Sequence, residues 1–518
     1  MTYLTIPISA KDLNGCKKQI QTACAAGAEA LELRTDYIEN LNADKLGEVV
    51  FAAKQTKLPI IATCRDPKEG GQNNLSPAVR MEMLAKAVKL GVDFIDCEYE
   101  NFKHSDFAGE IKKTLAENSK TKLIISAHNF KTKFENLVQV YEQIFTLCPS
   151  AIAKTAYQAN HINDCFAAFD ILNKHGNKTI AICMGQAGII SRIIAKKLDA
   201  FMTFASIEDD AATAPGQLTI EKMNEIYRYD AINSESELFG VIADPVAHSI
   251  SPAVHNACFA AKKMNRVYLP LLVSGGQNDF NEFMDNITSR PYLNFKGFSV
   301  TIPHKTSALE YAREKGEYIE PLAVKIGAVN TITIGANERT NSFNTDYAGA
   351  MDALSNAMGI TRKQLHNKTA AIIGAGGAAR AIVAGLADVG AKVVIYNRTA
   401  SRAHNLALEF GCRGEGLDDI ENLDAEIIIN CTNIGMYPEI NASPVPGQFL
   451  KSSMTVFDTV YNPAETLLLR QAKQAGAKTI SGVEMFIGQA GEQFKLFTHT
   501  DCPMEILRKT TLENLGRK

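Results

Sequence analysis

One unit recurs eight times in roughly the first 225 residues: a short apolar run rich in β-branched residues, followed by an amphipathic helical stretch. The eight apolar runs are 3–8, 29–34, 58–64, 92–98, 122–128, 150–155, 179–185 and 201–206. Strands that alternate with helices predict a parallel sheet with right-handed crossovers. Eight such units in so short a length predict a closed α/β barrel, the (β/α)8 or TIM barrel.

A second α/β pattern follows a polar stretch that lacks apolar periodicity and is typical of a linker. Strand-like runs at 238–245 and 295–303, with helical sequence between them, predict one lobe. Residues 369–399 read as strand, Gly-rich turn, helix and strand, which predicts a Rossmann-like nucleotide-binding lobe. The predicted boundaries are barrel 1–228, linker 229–237, first lobe 238–340 completed by C-terminal helices at about 485–518, and Rossmann-like lobe 341–484.

Composition excludes several classes of function. A net charge of −3 gives no reason to expect nucleic acid or an anionic membrane as partner, and the chain has no run of 18 apolar residues. Its 11 cysteines are scattered without a C-x-x-C pair, which predicts reduced thiols in the cytoplasm and no metal site. The opening residues predict no signal or transit peptide. Small-molecule substrates remain as partners, and the oligomeric state is left open.

Charged residues collect at the carboxyl ends of the predicted barrel strands, where the active sites of such barrels lie. Lys154 follows an apolar run, so its stem should be walled by the barrel, and a desolvated amine can attack a ketone. The alternative is a lysine that snorkels to the rim. His128 ends the preceding strand and could serve as the acid/base beside it. The arginines Arg34, Arg65 and Arg192 suggest that the substrate is a keto acid.

These residues belong to motifs that resemble type I 3-dehydroquinate dehydratase: ELRTDY (32–37), TCRDPKEGG (63–71), SAHNF (126–130), MGQAGIISR (184–192) and ATAPGQ (212–217). The resemblance implies Lys154 as the Schiff-base lysine, His128 as the base that takes the C2 proton, and Glu69 as the residue that orients His128. It further implies that the substrate is contacted by Glu32, Arg34, Arg65, Arg192, Thr213 and Gln217, beneath a lid formed by residues 206–217. Thr213 stands where that family usually has serine, so the hydroxyl is kept.

The Gly-rich turn GAGGAAR (374–380) follows a strand and opens a helix, the context in which backbone approaches a pyrophosphate. Its predicted cofactor-binding residues are Gly374, Ala375, Gly376, Gly377 and Ala378. The next strand ends in Asn397, Arg398 and Thr399, with Arg402 one turn later, and has no carboxylate for a ribose hydroxyl. An arginine attracts a 2′-phosphate, so the predicted cofactor is NADP.

The lobe before this turn offers polar groups for a substrate. Ser249 and Ser251 lie in SISP, Lys305 ends TIPHK, and Asn330 and Asp346 lie in GAVNT and NTD. A lysine and an aspartate in one cleft can relay the proton that accompanies hydride transfer. The alternative is a surface ion pair with loop-capping residues.

Together with NCTNIGM (430–436), DTVYNPAETLLL (458–469) and GVEMFIGQAGEQF (482–494), these segments resemble shikimate dehydrogenase. The resemblance implies Lys305 and Asp346 as the acid/base pair and Gly482 beside the nicotinamide. It implies that shikimate is bound by Ser249, Ser251, Thr301, Asn330, Asp346 and Gln489, with Tyr461 nearby. Phe486 stands where that family commonly has leucine.

The predicted function is therefore a bifunctional enzyme that dehydrates 3-dehydroquinate and then reduces the product with NADPH to shikimate. One alternative is a quinate/shikimate dehydrogenase that uses NAD, against which Arg398 and Asn397 argue. Another is a non-catalytic metabolite sensor, which would have no need of both Lys154 and His128.

Overall fold

The computed structural model describes residues 2–118, 120–247, 249–335 and 337–516. The chain forms two compact units: unit one is Met1–Leu238, Ala243–His248 and Asn265–Asn294, and unit two is Phe239–Ile242, Ser249–Met264 and Phe295–Lys518. The domain boundaries drawn from the sequence instead assign residues 265–294 to the first lobe, and they stay a prediction. In the described part of the chain, every helix is too short or too polar to cross a bilayer.

Unit one contains the predicted barrel. Its eight strands are β1 (Tyr3–Ile8), β2 (Ala30–Arg34), β3 (Ile60–Thr63), β4 (Phe94–Glu98), β5 (Lys122–Asn129), β6 (Ile152–Gln158), β7 (Thr179–Met184) and β8 (Met202–Phe204). They are hydrogen-bonded in the order β7-β6-β5-β4-β3-β2-β1-β8, all parallel. The backbone N–H of Phe201, just before β8, donates to Thr179 O at 2.8 Å and brings the two ends of the sheet together. All eight strands were predicted, and the barrel fold is confirmed.

Helices surround the strands of unit one. They are α1 (Leu13–Ala25), α2 (Ala43–Lys54), α3 (Pro77–Lys89), α4 (Tyr99–Phe102), α5 (Ser105–Glu117), α6 (Leu137–Leu147), α7 (Phe166–His175), α8 (Ile189–Ile193) and α9 (Ile220–Glu225). Local sequence sets where they begin. At α3, for example, the Ser76 hydroxyl accepts from the Val79 N–H, and Pro77 occupies the first helical position.

Alternate residues of the strands fill the barrel interior. Phe94 of β4, Ile124 of β5, Ile152 of β6 and Ile182 of β7 pack together in one buried cluster. Because side chains alternate between the two faces of a strand, residues two or four positions further along point into the same interior. The polar residues near the carboxyl ends of these strands are therefore aimed at one cavity.

The predicted linker is packed and not free. Tyr229 and Ile232 are buried, and the Lys197 ammonium donates to the carbonyls of Ser234 and Ser236 at 2.9 and 2.8 Å. The polar composition of 229–237 suggested a tether, but two apolar side chains and one buried lysine fix this segment within unit one.

The remaining elements are both strands and helices. They are β9 (Glu237–Ala243), α10 (Ser251–Ala261), β10 (Arg266–Leu272), α11 (Gln277–Thr288), β11 (Phe295–Val300), α12 (Lys305–Glu314), β12 (Tyr318–Ile319), α13 (Pro321–Ile326), β13 (Thr331–Ile334), β14 (Thr340–Phe343), α14 (Asp346–Met358), β15 (Thr369–Ile373), α15 (Gly377–Asp388), β16 (Lys392–Asn397), α16 (Ala400–Phe410), β17 (Arg413–Gly416), β18 (Ile427–Asn430), β19 (Thr455–Asp458), α17 (Leu467–Gln474), β20 (Lys478–Ile480), α18 (Gly482–Thr498) and α19 (Met504–Gly516). The prediction of helical sequence between β9 and β11 is confirmed by α10 and α11 and is wrong at β10. This run of seven residues is too short for a typical helix, although only Val267 and Tyr268 among them favour strands.

Unit two contains two groups of strands. In the first, the order is β9-β11-β13-β14-β12, with β13 antiparallel to both β11 and β14. The second is the predicted Rossmann-like sheet, all parallel, in the order β17-β16-β15-β18-β19-β20. The strand order reverses between β15 and β18, and ligands of such sheets bind outside the carboxyl ends at that point.

Helix α18 packs on the first group of strands. Gln493 of α18 accepts from the Ser299 hydroxyl of β11 at 2.8 Å, and its amide donates to Thr331 of β13 at 3.1 Å. Helices α14 and α18 cross at two glycines: a Cβ added to Gly349 would lie 2.6 Å from the backbone nitrogen of Gln489, and one added to Gly488 would lie 2.9 Å from the Cα of Gly349. The close crossing fixes the start of α14 relative to α18.

Candidate active sites

Lys154 lies inside the barrel and not at its rim. It is the third residue of β6, which continues to Gln158 beyond the predicted end at 155, and its side chain is 6% exposed. The ammonium donates to Asp96 Oδ2 at 2.8 Å, lies 3.5 Å from Glu32 Oε1 and sits 4.5 Å from the centre of the Phe204 ring. The expectation that barrel side chains wall the lysine stem is met by this burial.

Asp96 is a functional candidate that sequence reasoning missed. It is completely buried in β4 and accepts from Arg65 Nη2 at 2.9 Å and from the Ser126 hydroxyl at 2.6 Å, in addition to Lys154. The signal was available, because Phe94, Asp96 and Glu98 alternate along one strand and must face the same side. An acidic residue in phase with a core phenylalanine is rarely buried unless it is paired.

His128 is held by Glu69. The carboxyl oxygen Oε2 of Glu69 accepts from the backbone N–H of His128 at 3.0 Å and lies 2.9 Å from its Nδ1. Since that oxygen already accepts the backbone N–H, we assign the ring proton to Nδ1, which leaves Nε2 as an acceptor. The Phe130 ring stacks over the imidazole with centres 6.3 Å apart.

Burial shifts the pKa of both Glu69 and His128. It raises the pKa of the Glu69 carboxyl to about 8. Burial, followed by the positive charges of Arg65 and Lys154, holds the pKa of His128 well below its usual range. His128 is therefore neutral near pH 7 and able to accept a proton.

The three predicted arginines differ in their pairing. Arg34 makes a bidentate pair with Asp36, at 2.9 and 2.8 Å, and Arg65 pairs with Asp96 and Glu98. Arg192 is 2% exposed, donates from Nη1 to the Phe204 carbonyl at 3.3 Å, and makes no ion pair with any carboxylate of the described residues. Burial lowers the pKa of the Arg192 guanidinium to about 10. A buried cation of this kind is suited to bind an anionic ligand.

One cavity collects the predicted residues of this site. Its lining includes Glu32, Arg34, Arg65, Glu69, His128, Lys154, Arg192, Thr213 and Gln217, together with Met184, Phe204 and Phe130. Gln217 Oε1 accepts from the Thr213 N–H at 2.8 Å and hydroxyl at 3.2 Å, which links two cavity-lining residues of the loop 206–217. The structure thus brings together every barrel residue that the resemblance implies, and their roles remain to be tested.

The second candidate site begins at α14. The Lys305 ammonium donates to Asp346 Oδ2 at 2.5 Å, and the other carboxylate oxygen accepts from the Asn330 amide at 2.9 Å. The same amide donates to Gln489 Oε1 at 3.4 Å. Asn330, in turn, is fixed by the Thr345 N–H, which donates to its Oδ1 at 2.8 Å. Four of the predicted residues therefore form one hydrogen-bonded network.

The other predicted substrate residues stand outside this network. Ser249 accepts from the Ser251 N–H at 3.3 Å at the start of α10, and Thr301 directly follows β11. Tyr461 is 44% exposed and lies 5.9 Å, between ring centres, from Phe486. Within the described ranges, no hydrogen bond joins these residues to Lys305 or Asp346.

The Gly-rich turn occupies the switch point of the Rossmann-like sheet. Gly374 has φ +111°, a conformation that favours glycine, and α15 begins at Gly377. A Cβ on Gly376 or Gly377 would meet no atom within 4 Å, so the helix N-terminus is open to a ligand. Ala375 and Ala378 complete the predicted turn. These features fit a dinucleotide pyrophosphate.

The end of β16 fits NADP. The Asn397 amide donates to the Thr399 carbonyl at 3.0 Å, while Arg398 and Arg402 are exposed and make no ion pair with a carboxylate of the described residues. At the start of α18, a Cβ on Gly482 would lie 2.4 Å from the Thr459 carbonyl oxygen, so only glycine fits there. In the described part of the chain, His, Cys, Asp and Glu side chains form no group suited to a metal ion.

Three family models match the chain: type I 3-dehydroquinase over residues 4–234, the shikimate dehydrogenase substrate binding domain over 241–332, and shikimate/quinate 5-dehydrogenase over 356–439. The chain is 35% identical over 525 residues to the bifunctional 3-dehydroquinate dehydratase/shikimate dehydrogenase, chloroplastic, of Arabidopsis thaliana, a match that covers 98% of this chain and 83% of the plant protein. It is 41% identical over 288 residues to the shikimate dehydrogenase (NADP(+)) of Methanosarcina barkeri, covering 54% of this chain and 99% of that protein. A crystal structure of a shikimate dehydrogenase in complex with NADP+ is 38% identical, with a TM-score of 0.49, and covers 55% of this chain and 97% of that one.

Proposed function

The chain belongs to the family of bifunctional 3-dehydroquinate dehydratase/shikimate dehydrogenases, and we propose how its residues divide the two reactions. The enzyme dehydrates 3-dehydroquinate to 3-dehydroshikimate through a lysine Schiff base, and it reduces 3-dehydroshikimate to shikimate with NADPH. The observation that carries our assignment is the shared barrel cavity of Lys154 and His128.

In the barrel, Lys154 Nζ attacks the C3 ketone of 3-dehydroquinate, and the oxygen leaves as water to give an iminium. His128 Nε2 then takes the C2 proton, because the imidazole is neutral and its other nitrogen is held by Glu69. The protonated His128 returns this proton to the C1 hydroxyl, which leaves as water. The iminium supplies the electron sink, so these steps are carried by groups of the chain itself.

Charge complementarity supports the substrate orientation. Arg192, buried without a carboxylate partner, would pair with the substrate carboxylate. The substrate hydroxyls would be held by Glu32, Arg34, Arg65, Thr213 and Gln217, which line the same cavity. Closure of the 206–217 loop would exclude water from the iminium.

In unit two, Lys305 and Asp346 would act as the acid/base pair at the alcohol carbon, beside Asn330 and Gln489. NADPH supplies the hydride when bound. We propose that Gly374, Ala375, Gly376, Gly377 and Ala378 hold its pyrophosphate, that Asn397, Arg398, Thr399 and Arg402 hold its adenosine 2′-phosphate, and that Gly482 lies beside its nicotinamide. Ser249, Ser251, Thr301 and Tyr461 would complete the shikimate site. The absence of an acid at residue 397 disfavours the alternative of an NAD-dependent quinate dehydrogenase.

We further infer a reducing compartment, such as the cytoplasm, since all 11 cysteines of the chain are free thiols in the structure. Its partners are small molecules, in keeping with a net charge of −3 and no excess of basic residues.

Two experiments test the assignment. Borohydride added with 3-dehydroquinate should reduce the imine and add a substrate-sized mass to Lys154; a label on another lysine would refute the Schiff-base role. In the second half, Arg398→Ala should raise the KM for NADPH far more than the KM for shikimate. Equal increases in both would contradict the 2′-phosphate role, and Arg413→Ala, an exposed arginine paired with Glu415, serves as the matched control.

A further inference from the structure

Asp96 is the described residue that contacts the reacting nitrogen most closely without lining the cavity. Its Oδ2 lies 2.8 Å from Lys154 Nζ and 2.9 Å from Arg65 Nη2, and its Oδ1 accepts from Ser126 at 2.6 Å. It is fully buried, whereas the cavity is lined by the other polar groups of the site. Asp96 is thus positioned behind the lysine, on the side away from the substrate.

Asp96 is unsuited to be a proton acceptor. Burial alone would raise its pKa, but the charges of Arg65 and Lys154 and the hydrogen bond from Arg65 hold it well below the usual range. Asp96 therefore stays a carboxylate throughout the reaction. Removal of protons during catalysis falls to His128, which the cavity places on the substrate side.

The reaction itself keeps a positive charge opposite this carboxylate. A lysine ammonium and a ketone give an iminium and water: the nitrogen loses two protons, the carbonyl oxygen gains them, the C–O bond breaks and an N–C bond forms. Nitrogen carries one positive charge before and after the step, and it keeps one N–H. That N–H can donate to Asp96 in both states.

We propose that Asp96 is the counter-ion of the iminium on Lys154, and that it keeps this nitrogen protonated while the C2 proton is removed. The inference rests on the proposed Schiff-base role of Lys154. A protonated imine withdraws electrons far more strongly than a neutral imine, so a fixed negative charge beside the nitrogen favours the form that reacts.

Other charges face the same nitrogen from the surrounding strands. Glu32 of β2 lies 3.5 Å away and supports the iminium. Arg65 donates to the same Asp96 oxygen as Lys154 and opposes it, whereas His128 is neutral and opposes it only after it has taken the C2 proton. The charged or titratable groups that share the cavity are Glu32, Arg34, Arg65, Glu69, His128 and Arg192. The carboxylate in direct hydrogen-bond contact with the ammonium is Asp96, so its charge should have the largest single effect.

The test is Asp96→Asn in the full-length enzyme, which retains the shape of the side chain and removes its charge. An opposite charge in contact changes a pKa by about one to three units, so the alkaline limb of the dehydratase kcat profile should move to lower pH by at least about one unit. At pH values above the wild-type alkaline limb, kcat should fall by roughly 10- to 1000-fold. Borohydride should still label Lys154, because imine formation needs the amine and not the carboxylate.

Ser126→Ala is the matched control, since it removes another hydrogen bond to Asp96 and leaves the charge. It should keep the wild-type alkaline limb. Should Asp96→Asn fail to fold, Asp96→Glu carries the test, because it keeps the charge: the limb should stay in place even where kcat falls.

The outcomes separate this inference from the proposed function. If the wild-type enzyme gives no adduct on Lys154, the Schiff-base role itself fails. If it does, and Asp96→Asn keeps the wild-type alkaline limb, the counter-ion role alone is overturned. A folded Asp96→Asn protein that forms no adduct would also overturn it, since Asp96 would then be needed for attack and not for protonation of the imine.

Discussion

Two arginines of the barrel are equally buried, yet replacing them with methionine should change stability in opposite directions. Arg192 and Arg80 are each 2% exposed. Arg80 pairs with Asp66 at 2.6 Å and with Glu98 at 3.4 Å, whereas Arg192 has no carboxylate partner among the described residues. The charge of Arg80 is therefore compensated by two carboxylates, whereas the charge of Arg192 is not compensated until an anionic ligand binds.

The cost of the unpaired cation follows from its pKa. Burial lowers the pKa of Arg192 to about 10 from an ordinary value above 12, and each tenfold change in proton affinity corresponds to about 1.4 kcal/mol. A base whose pKa falls on folding destabilises the native state while it is charged, and at pH 7 this arginine is charged in both states. The charge therefore costs the free enzyme about 3 kcal/mol.

Arg192→Met, which keeps the length of the stem, should raise the free energy of unfolding of the barrel by about 1–3 kcal/mol, allowing for imperfect packing. Arg80→Met should lower it by about 3–5 kcal/mol, because Asp66 loses its ion-pair partner and Glu98 is left with Arg65 alone. The chain has no tryptophan, so unfolding in urea is followed by far-UV circular dichroism and tyrosine fluorescence at pH 7.

The dehydratase activity of Arg192→Met should fall although the stability of the barrel rises. Loss of a charge-assisted pair to the substrate carboxylate costs about 2–4 kcal/mol, so Arg192→Met should lower dehydratase kcat/KM by roughly 30- to 1000-fold. Shikimate oxidation by unit two should be unchanged. If Arg192→Met destabilises the barrel as Arg80→Met does, or leaves kcat/KM intact, the interpretation of Arg192 as an anion receptor is refuted.

Three further predictions concern the positioning of the two sites. Glu69→Gln should keep the dehydratase kcat within about tenfold of the wild-type value at pH 7, because burial already holds the Glu69 carboxyl largely protonated. The glutamine amide oxygen can still accept the backbone N–H of His128. Glu69→Ala has no such acceptor, so its kcat should fall about 100-fold. The dehydratase kcat/KM should be nearly constant between pH 7.5 and pH 6, because the pKa of His128 is lowered. At pH 6 a histidine of ordinary pKa would be neutral in only about a quarter of the molecules. A fourfold drop in kcat/KM over this range would contradict the lowered pKa of His128. Gly349→Ala should destabilise unit two by about 1–3 kcal/mol and reduce shikimate oxidation but not dehydration, while Gly47→Ala, whose Cβ would meet no atom within 4 Å, should be neutral or slightly stabilising in a thermal melt.

Sequence patterns predicted the barrel because its strands follow one another in the chain, and because eight consecutive strand–helix units indicate a closed barrel. They missed β10, where a short apolar run carries no period that separates strand from helix. They also placed Lys154 at the end of its strand, although β6 runs four residues further. The length of a strand is set by pairing with its neighbours, and pairing partners are distant in sequence.

Some site residues could likewise be predicted from the sequence, and others could not. Residues of the predicted barrel cavity, such as His128 and Glu69, could be found because each lies in a motif near the end of a strand. Asp96 lies in the interior of an apolar strand, where acidic residues are uncommon, and only its alternation with Phe94 reveals its direction. Whether Arg192 is paired could not be predicted, since pairing depends on side chains from several separate strands.

The two lysines show how environment assigns different chemistry to one side chain. Lys154 is 6% exposed and contacts two buried carboxylates, Asp96 at 2.8 Å and Glu32 at 3.5 Å, so its amine is shielded from water. Lys305 is 29% exposed and pairs with Asp346 alone among the described carboxylates, so it can exchange protons with water and with a substrate oxygen. A lysine that forms a covalent bond must have its charge fixed by a dry cavity, whereas one that relays a proton must keep a path to solvent.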